Sequence, residues 1–149
     1  WLTWYYKNRP SVDKGWRSSQ FACLHLGSPN AELHPEHFLT EEQKQKKEEG
    51  TLRYMPGPPS VIEASLPIGF VKQDEQTDHP SQKPKDAIEP LVKMSTTEGD
   101  LVLDPMAGSG TTGAVAEELG RDCILADESE EYTEMMEDRL SINRVKDLD

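Results

Sequence analysis

The 149 residues predict a single domain of the α/β class. Three observations predict it. An apolar run, Leu101-Val102-Leu103, leads into a glycine loop from Asp104 to Gly110. A helical stretch starts at Thr111 directly after the loop, and a second apolar run, Cys123-Ile124-Leu125-Ala126, follows that helix. Strand, loop, helix and strand in this order describe a βαβ unit of the dinucleotide-binding kind, whose crossover is right-handed in nearly all proteins.

The other elements follow in order. Trp1 to Tyr6 is aromatic and β-branched, which favours a strand, and Asn8-Arg9-Pro10-Ser11 breaks it. The run looks like a strand entered in the middle of a fold, as in a chain truncated at its N-terminus. Phe21 to Leu26 is a second strand, stopped by Gly27-Ser28-Pro29-Asn30. Glu41 to Glu49 has good helix formers without an apolar stripe, so it is a solvated helix or a mobile insert. Prolines 56, 58, 59 and 67 exclude a regular helix there and leave Ser60-Val61-Ile62 as the one strand candidate. Ile88, Leu91, Val92 and Ser95 share a helical face; because an interior proline costs about 3 kcal/mol, Pro90 places the helix start near itself or kinks the helix. Leu101 to Leu103 reads as a buried parallel strand. Thr111 to Leu119 is a helix with Ala114, Val115 and Leu119 inward and Gly120 as its stop. Tyr132, Met135, Met136 and Leu140 mark a closing helix over 130–142.

Charge narrows the function. A net charge of −12 opposes a general nucleic-acid binder, since phosphate contacts need Lys and Arg. The distribution is uneven: residues 98–149 hold 15 acidic and 4 basic side chains, whereas residues 1–31 hold Lys7, Arg9, Lys14 and Arg17 against Asp13 alone. Any DNA contact therefore belongs to the N-terminal end, through those four cations. Cys23 and Cys123 stand far apart, and neither an export signal nor an apolar run of about 20 residues occurs, which predicts a reduced, cytoplasmic protein without a membrane partner. The scattered Cys and His argue against zinc; His34 and His37 have helical spacing but read as surface loop, so no metal is expected.

The chemistry concentrates in Asp104-Pro105-Met106-Ala107-Gly108-Ser109-Gly110-Thr111-Thr112. Glycines between a strand and a helix allow a tight turn and let a ligand reach the main chain, and the helix start offers free N–H groups to an anion. Asp127 stands at the end of the next strand, 17 residues after Gly110, where a carboxylate can accept from ribose hydroxyls; Glu128 beside it can share that role.

The loop closely resembles the Asp-Pro-Phe-x-Gly-Ser-Gly-Thr-Thr motif of the adenine-N6 and cytosine-N4 DNA methyltransferases, with Met106 in place of Phe. His79-Pro80-Ser81-Gln82-Lys83-Pro84 is similar to that family's His-Pro-Thr-Gln-Lys-Pro block. A block of this kind ahead of the glycine loop matches the subgroup in which cofactor motifs follow the catalytic region. Weaker likenesses cover Trp4 to Asn8, Pro59 to Ile62 and Arg121 to Tyr132. The resemblance implies a Rossmann-like S-adenosylmethionine-dependent methyltransferase fold, present in part. It divides the chain into strands of the catalytic half (1–31), a variable insert that is a possible target-recognition region (32–78) and a cofactor-binding half (79–149).

The resemblance further implies S-adenosylmethionine as cofactor, DNA as substrate and, in a restriction-modification pair, a restriction endonuclease as partner. Residues 104–112 would hold the methionine and ribose region, Lys83 and Pro84 would wall the methionine end, and Asp127 with Glu128 would take the ribose. The family's (Asp/Asn/Ser)-Pro-Pro-(Tyr/Phe/Trp) loop, which accepts hydrogen bonds from the amine and stacks on the flipped base, has no counterpart. Gly57 precedes and Ser60 follows the Pro58-Pro59 pair, so no catalytic residue is assigned. A catalytically inactive cofactor-binding remnant and an RNA methyltransferase stand as alternatives.

Overall fold

A computed structural model describes residues 1–8 and 15–140. From residue 61 onward its strands and helices alternate, as the sequence predicts. Strand β1 (Leu2–Tyr5) pairs antiparallel with β2 (Gln20–Cys23) and parallel with β3 (Val61–Glu63), giving a sheet of order β2-β1-β3. Strand β4 (Leu101–Asp104) pairs in parallel with β5 (Asp122–Leu125), Leu101 opposite Asp122 and Asp104 opposite Leu125. Helix α1 (Glu41–Glu48) lies in the segment between β2 and β3, α2 (Lys85–Ser95) precedes β4, α3 (Thr111–Glu118) connects β4 to β5, and α4 (Glu130–Arg139) follows β5.

Aromatic packing explains the first sheet. Trp4 and Tyr6 are buried and stack around Phe21, with ring centroids 5.0 to 5.6 Å apart. Their polar ends are satisfied: Trp4 Nε1 donates to Ala64 O at 2.8 Å, and the Tyr6 hydroxyl meets Ser18 Oγ at 3.0 Å. Asn8 continues the strand edge with its side chain, donating to Leu66 O and accepting from Leu66 N–H at 2.7 and 2.8 Å. Core packing is therefore sufficient reason for the Trp4 to Asn8 pattern.

Helix α2 is the seam, with α3 on one side and β3 on the other. Of the two readings of Pro90, the structure shows the one with the proline inside the helix, which runs from Lys85. Pro90 leaves the carbonyl of Asp86 without its intrahelical donor. The helix start is fixed elsewhere, because Glu75 Oε2 accepts from Lys85 N–H at 3.1 Å. Of the two readings of the run from Glu41 to Glu49, the structure shows the solvated helix. A 3-10 helix, Pro35–Phe38, precedes α1, and Thr40 with Gln43 forms a reciprocal capping box at the α1 N-terminus.

A second correction concerns β4, which is not buried on both faces. Val102 and Leu125 lie half-buried, while Leu101, Leu103 and Ile124 are 59%, 65% and 52% exposed on the opposite face. Buried interior in this half comes instead from Ala114, Val115 and Ala116 of α3 with Met136 and Leu140 of the α4 region. Leu119 is half-buried, and α4 ends at Arg139; residues 141 and 142 of the predicted helix lie outside the described residues. Among the described residues no helix is long and apolar enough to cross a membrane. Both cysteines are free thiols.

Candidate functional site

The glycine loop sits where β4 ends and α3 begins, at the carboxyl edge of the parallel pair. In sheets of this type ligands bind at that edge. Asp104 holds the first bend: its Oδ1 accepts from Met106 N–H at 3.1 Å and its Oδ2 from the Thr112 hydroxyl at 2.6 Å. The loop is tied to β5 by Ala107 N–H, which donates to Ala126 O at 2.9 Å. Gly108 and Gly110 both have positive φ, 51° and 73°. Beyond that left-handed backbone, a Cβ on Gly108 would lie 2.7 Å from His79 Nε2, and one on Gly110 would lie 2.9 Å from Met136 Cγ. The first glycine thus preserves a crevice, and the second lets α4 pack behind the loop.

A cavity of about 260 Å³ lies there, lined by His79, Ser81, Lys83, Ile88 and Asp127 together with Asp104, Met106 to Ser109, Thr111 and Thr112. Nine of the thirteen sequence-predicted cofactor residues line it; Pro84, Pro105, Gly110 and Glu128 do not. Pro84 is fully buried as the residue before α2, so it builds the wall from behind. Glu128 is exposed, three positions past the strand end. Met106 is 83% exposed, an uncovered apolar side chain at the mouth of the crevice.

Asp127 is the site's fixed carboxylate. Its Oδ2 accepts from Gly108 N–H at 2.9 Å and its Oδ1 from Ser129 N–H at 3.0 Å. Those backbone donors, Ser129 first and then Gly108, hold its carboxyl below the usual carboxylate range. A carboxylate has about four acceptor positions, so capacity remains for a ligand hydroxyl. Asp127 thus organises the turn before α4 and also faces the crevice.

Opposite it, His79 packs on Tyr132 with centroids 4.3 Å apart. His79 Nδ1 accepts from Ser81 N–H at 3.1 Å, which places its ring proton on Nε2, towards Gly108. Burial, then the charge of Lys83, pushes the imidazole below its ordinary value. Burial likewise lowers Lys83, whose ammonium donates to Ser81 O at 2.8 Å. Gln82, buried between them, accepts from Thr77 N–H and donates to Glu75 O, so the whole His79 to Pro84 block is a built wall.

Arg139 was not legible as a site residue. From the end of α4 its guanidinium donates to Ser109 O at 2.8 Å and to Thr111 Oγ1 at 3.3 Å, while Thr111 donates to Lys83 O at 2.9 Å. It steadies the loop from behind at a distance of 30 residues in sequence, a separation that local patterning does not reveal. His79, Ser81 and Ile88 were also unassigned as lining residues, although the block containing the first two had been recognised. No side chain caps α3, where Gly110 is the N-cap. The N–H groups at that end are therefore available to an anion.

The predicted DNA contacts are less well gathered. Lys7 and Arg17 are exposed, but Lys7 is ion-paired with Glu63 and sits over the Tyr5 ring. Arg9 and Lys14 lie outside the described residues. A larger groove of about 480 Å³ runs between the first sheet and α2, lined by apolar residues such as Leu2, Leu24, Ile62, Leu91 and Met94. Its lining is mostly apolar, with His25, Glu63 and Ser95 as polar exceptions, whereas the smaller crevice is lined mainly by polar groups, so chemistry favours the smaller crevice.

A family model for DNA methylases matches residues 1–138. The type II methyltransferase M.HpaI of Haemophilus parainfluenzae is 32% identical over 145 residues, covering 94% of this chain and 44% of its own length. The type II methyltransferase M2.DpnII of Streptococcus pneumoniae is 50% identical over 62 residues, 42% of this chain and 23% of its own. The chain thus spans less than half the length of these relatives. Among solved structures, the M1.HpyAVI–SAM complex superposes with a TM-score of 0.58 at 23% identity, covering 95% of this chain and 61% of that one.

Proposed function

Because the chain belongs to the DNA methylase family and has its Rossmann-like α/β fold, we propose that it forms the S-adenosylmethionine-binding portion of an enzyme that methylates the exocyclic amine of adenine (N6) or cytosine (N4) in DNA. One observation carries this reading: a positive-φ glycine, a helix start without a side-chain cap and a fixed carboxylate converge on one crevice at the sheet's carboxyl edge. The residues fit the cofactor. A Cβ at Gly108 would fill the cradle, and Asp127 retains acceptor capacity for ribose hydroxyls.

When bound, the cofactor supplies an electrophilic methyl group on a sulfonium. The chain's own part is to hold and to orient. The N–H groups and partial positive charge at the start of α3 suit the amino-acid carboxylate. Lys83 and His79 line the crevice at what would be the methionine end, and burial lowers the pKa of both. At about 260 Å³ the crevice is smaller than the roughly 300–1,000 Å³ of complete ligand sites, which suits a pocket closed by further residues.

An exocyclic amine needs an acceptor group and an aromatic ring to align it, and Gly57-Pro58-Pro59-Ser60 supplies neither. In this reading the acceptor loop belongs to other residues of a larger protein or to a partner. Residues 1–31 with Lys7 and Arg17, and the 32–78 insert, form the DNA-facing side, and residues 79–149 the cofactor-binding half. Calorimetric titration of the 149-residue chain tests the cofactor step. Adenosylmethionine binding in preference to ATP and NAD, weakened at least about tenfold by Asp127→Ala, is expected. Equal binding by the variant, or none by the parent, defeats it. In a radiolabel assay the chain alone is expected to leave DNA unmethylated; transfer to RNA in preference to duplex DNA, once the acceptor loop is supplied, would replace DNA as the substrate.

A further inference from the structure

Away from the glycine loop, three ligand-bearing side chains meet at the 3-10 helix. His34 precedes Pro35–Phe38, Glu36 stands in its first turn and His37 in its last. A 3-10 helix has three residues per turn, so positions 34 and 37 eclipse on one face. Their rings accordingly stack, with centroids 5.2 Å apart and planes 18° from parallel. His34 Nδ1 lies 3.3 Å from Glu36 Oε1, and one ligand atom from each of the three residues lies within 4.8 Å of the others.

The cluster is also oriented from outside. His37 Nδ1 donates to the Lys93 carbonyl at 2.8 Å. A carbonyl only accepts, so the ring proton is on Nδ1 and Nε2 carries a bare lone pair. That is the arrangement by which a backbone carbonyl behind the ring prepares an imidazole for a metal ion. The next carbonyl, Met94 O, accepts from His34 N–H at 2.8 Å, so the C-terminal turn of α2 anchors both histidines. The His34 side chain is only 14% exposed, whereas Glu36 is 37% exposed, its carboxylate meeting its own backbone N–H and His34.

We propose that His34, Glu36 and His37 form a three-ligand site for a divalent transition-metal ion of the zinc class, which pins the loop before α1 to the end of α2. Two imidazoles and one carboxylate suit zinc, nickel or cobalt better than magnesium or calcium, which take oxygen ligands. With metal–ligand distances of about 2.0–2.2 Å, a tetrahedral ion needs its ligand atoms about 3.4 Å apart, and rotation of the Glu36 carboxylate and small ring adjustments cover the difference. The fourth position remains for water. The scattered histidines had argued against zinc; the missing information was the carbonyl of Lys93, 56 residues from His37.

Competition of the 149-residue chain against a chromophoric chelator, with Zn²⁺ as the only added metal, tests the site. One equivalent of Zn²⁺ is expected to bind, with affinity at least about tenfold lower in Glu36→Gln and in the His34→Asn/His37→Asn pair, and unchanged in His25→Asn. Zn²⁺ is also expected to raise the melting temperature of the parent and not of Glu36→Gln, a variant that keeps the side chain's shape. Absence of a bound equivalent, or unchanged affinity in Glu36→Gln and in the double variant, overturns the proposal.

Discussion

Each carboxylate oxygen of Asp127 accepts one backbone N–H, so this side chain shapes the glycine loop before it touches any ligand. Its folded pKa is depressed, chiefly by the bonds from Ser129 and Gly108. The stabilisation is therefore complete above the unfolded value of about 3.9 and is lost as pH falls through the folded value. Thermal melts from about pH 6 down to pH 3 are expected to show a steeper acid loss in the parent than in Asp127→Asn, and parallel curves would contradict the assignment. Gly108 is the complementary case. Gly108→Ala strains a φ of 51° and sets a Cβ 2.7 Å from His79 Nε2, so the His79 ring must leave its place on Tyr132. We expect cofactor affinity at least about tenfold weaker with the fold retained, checked by calorimetry and circular dichroism.

The α3 helix shows why propensity alone misjudges its glycine. In an exposed helix Gly→Ala gains roughly 0.5–1 kcal/mol. At Gly113 a Cβ would stand 2.5 Å from Leu125 Cδ1 and 2.7 Å from Leu140 Cδ1, two side chains that pack against the helix. Overpacking costs roughly 1–3 kcal/mol, so Gly113→Ala is expected to lower stability by about 1 kcal/mol in urea unfolding; a gain would show that both leucines yield freely. Pro90 tests the opposite sign. Replacing it with Ala relieves about 3 kcal/mol of helix penalty and returns roughly 1 kcal/mol through a freer unfolded chain, so Pro90→Ala is expected to raise the melting temperature. The elements from Lys85 onward were legible in the sequence because apolar period, glycine stops and the loop all agreed. Whether α2 begins at Pro90 or contains it was not, because the Glu75 carboxylate that meets the first N–H comes from a loop outside the helix. The site was legible where its residues are contiguous, from 104 to 112 and at Asp127. Arg139, and the reassignment of Pro84 and Gly110 to packing, depend on helices that meet only in three dimensions.

Among the described residues, two separate sheets, rather than one, set the character of the molecule. Parallel strands normally have both faces covered, yet among those residues the pair β4–β5 packs α3 on one face. Leu101, Leu103 and Ile124 stand open on the other, which is why an all-apolar strand pattern, correctly read as a strand, misread its burial. The pattern reports what a strand is suited to touch; it does not report whether that contact lies within the same 149 residues. An open face has a measurable consequence. Side chains that are more than half exposed contribute little to folding, so Leu101→Thr with Ile124→Thr is expected to change unfolding free energy by no more than about 0.5 kcal/mol each, within the range of surface substitutions. The same pair is expected to reduce binding of a hydrophobic dye, because it divides a contiguous apolar patch. A loss of several kcal/mol would mean that the face is packed in solution.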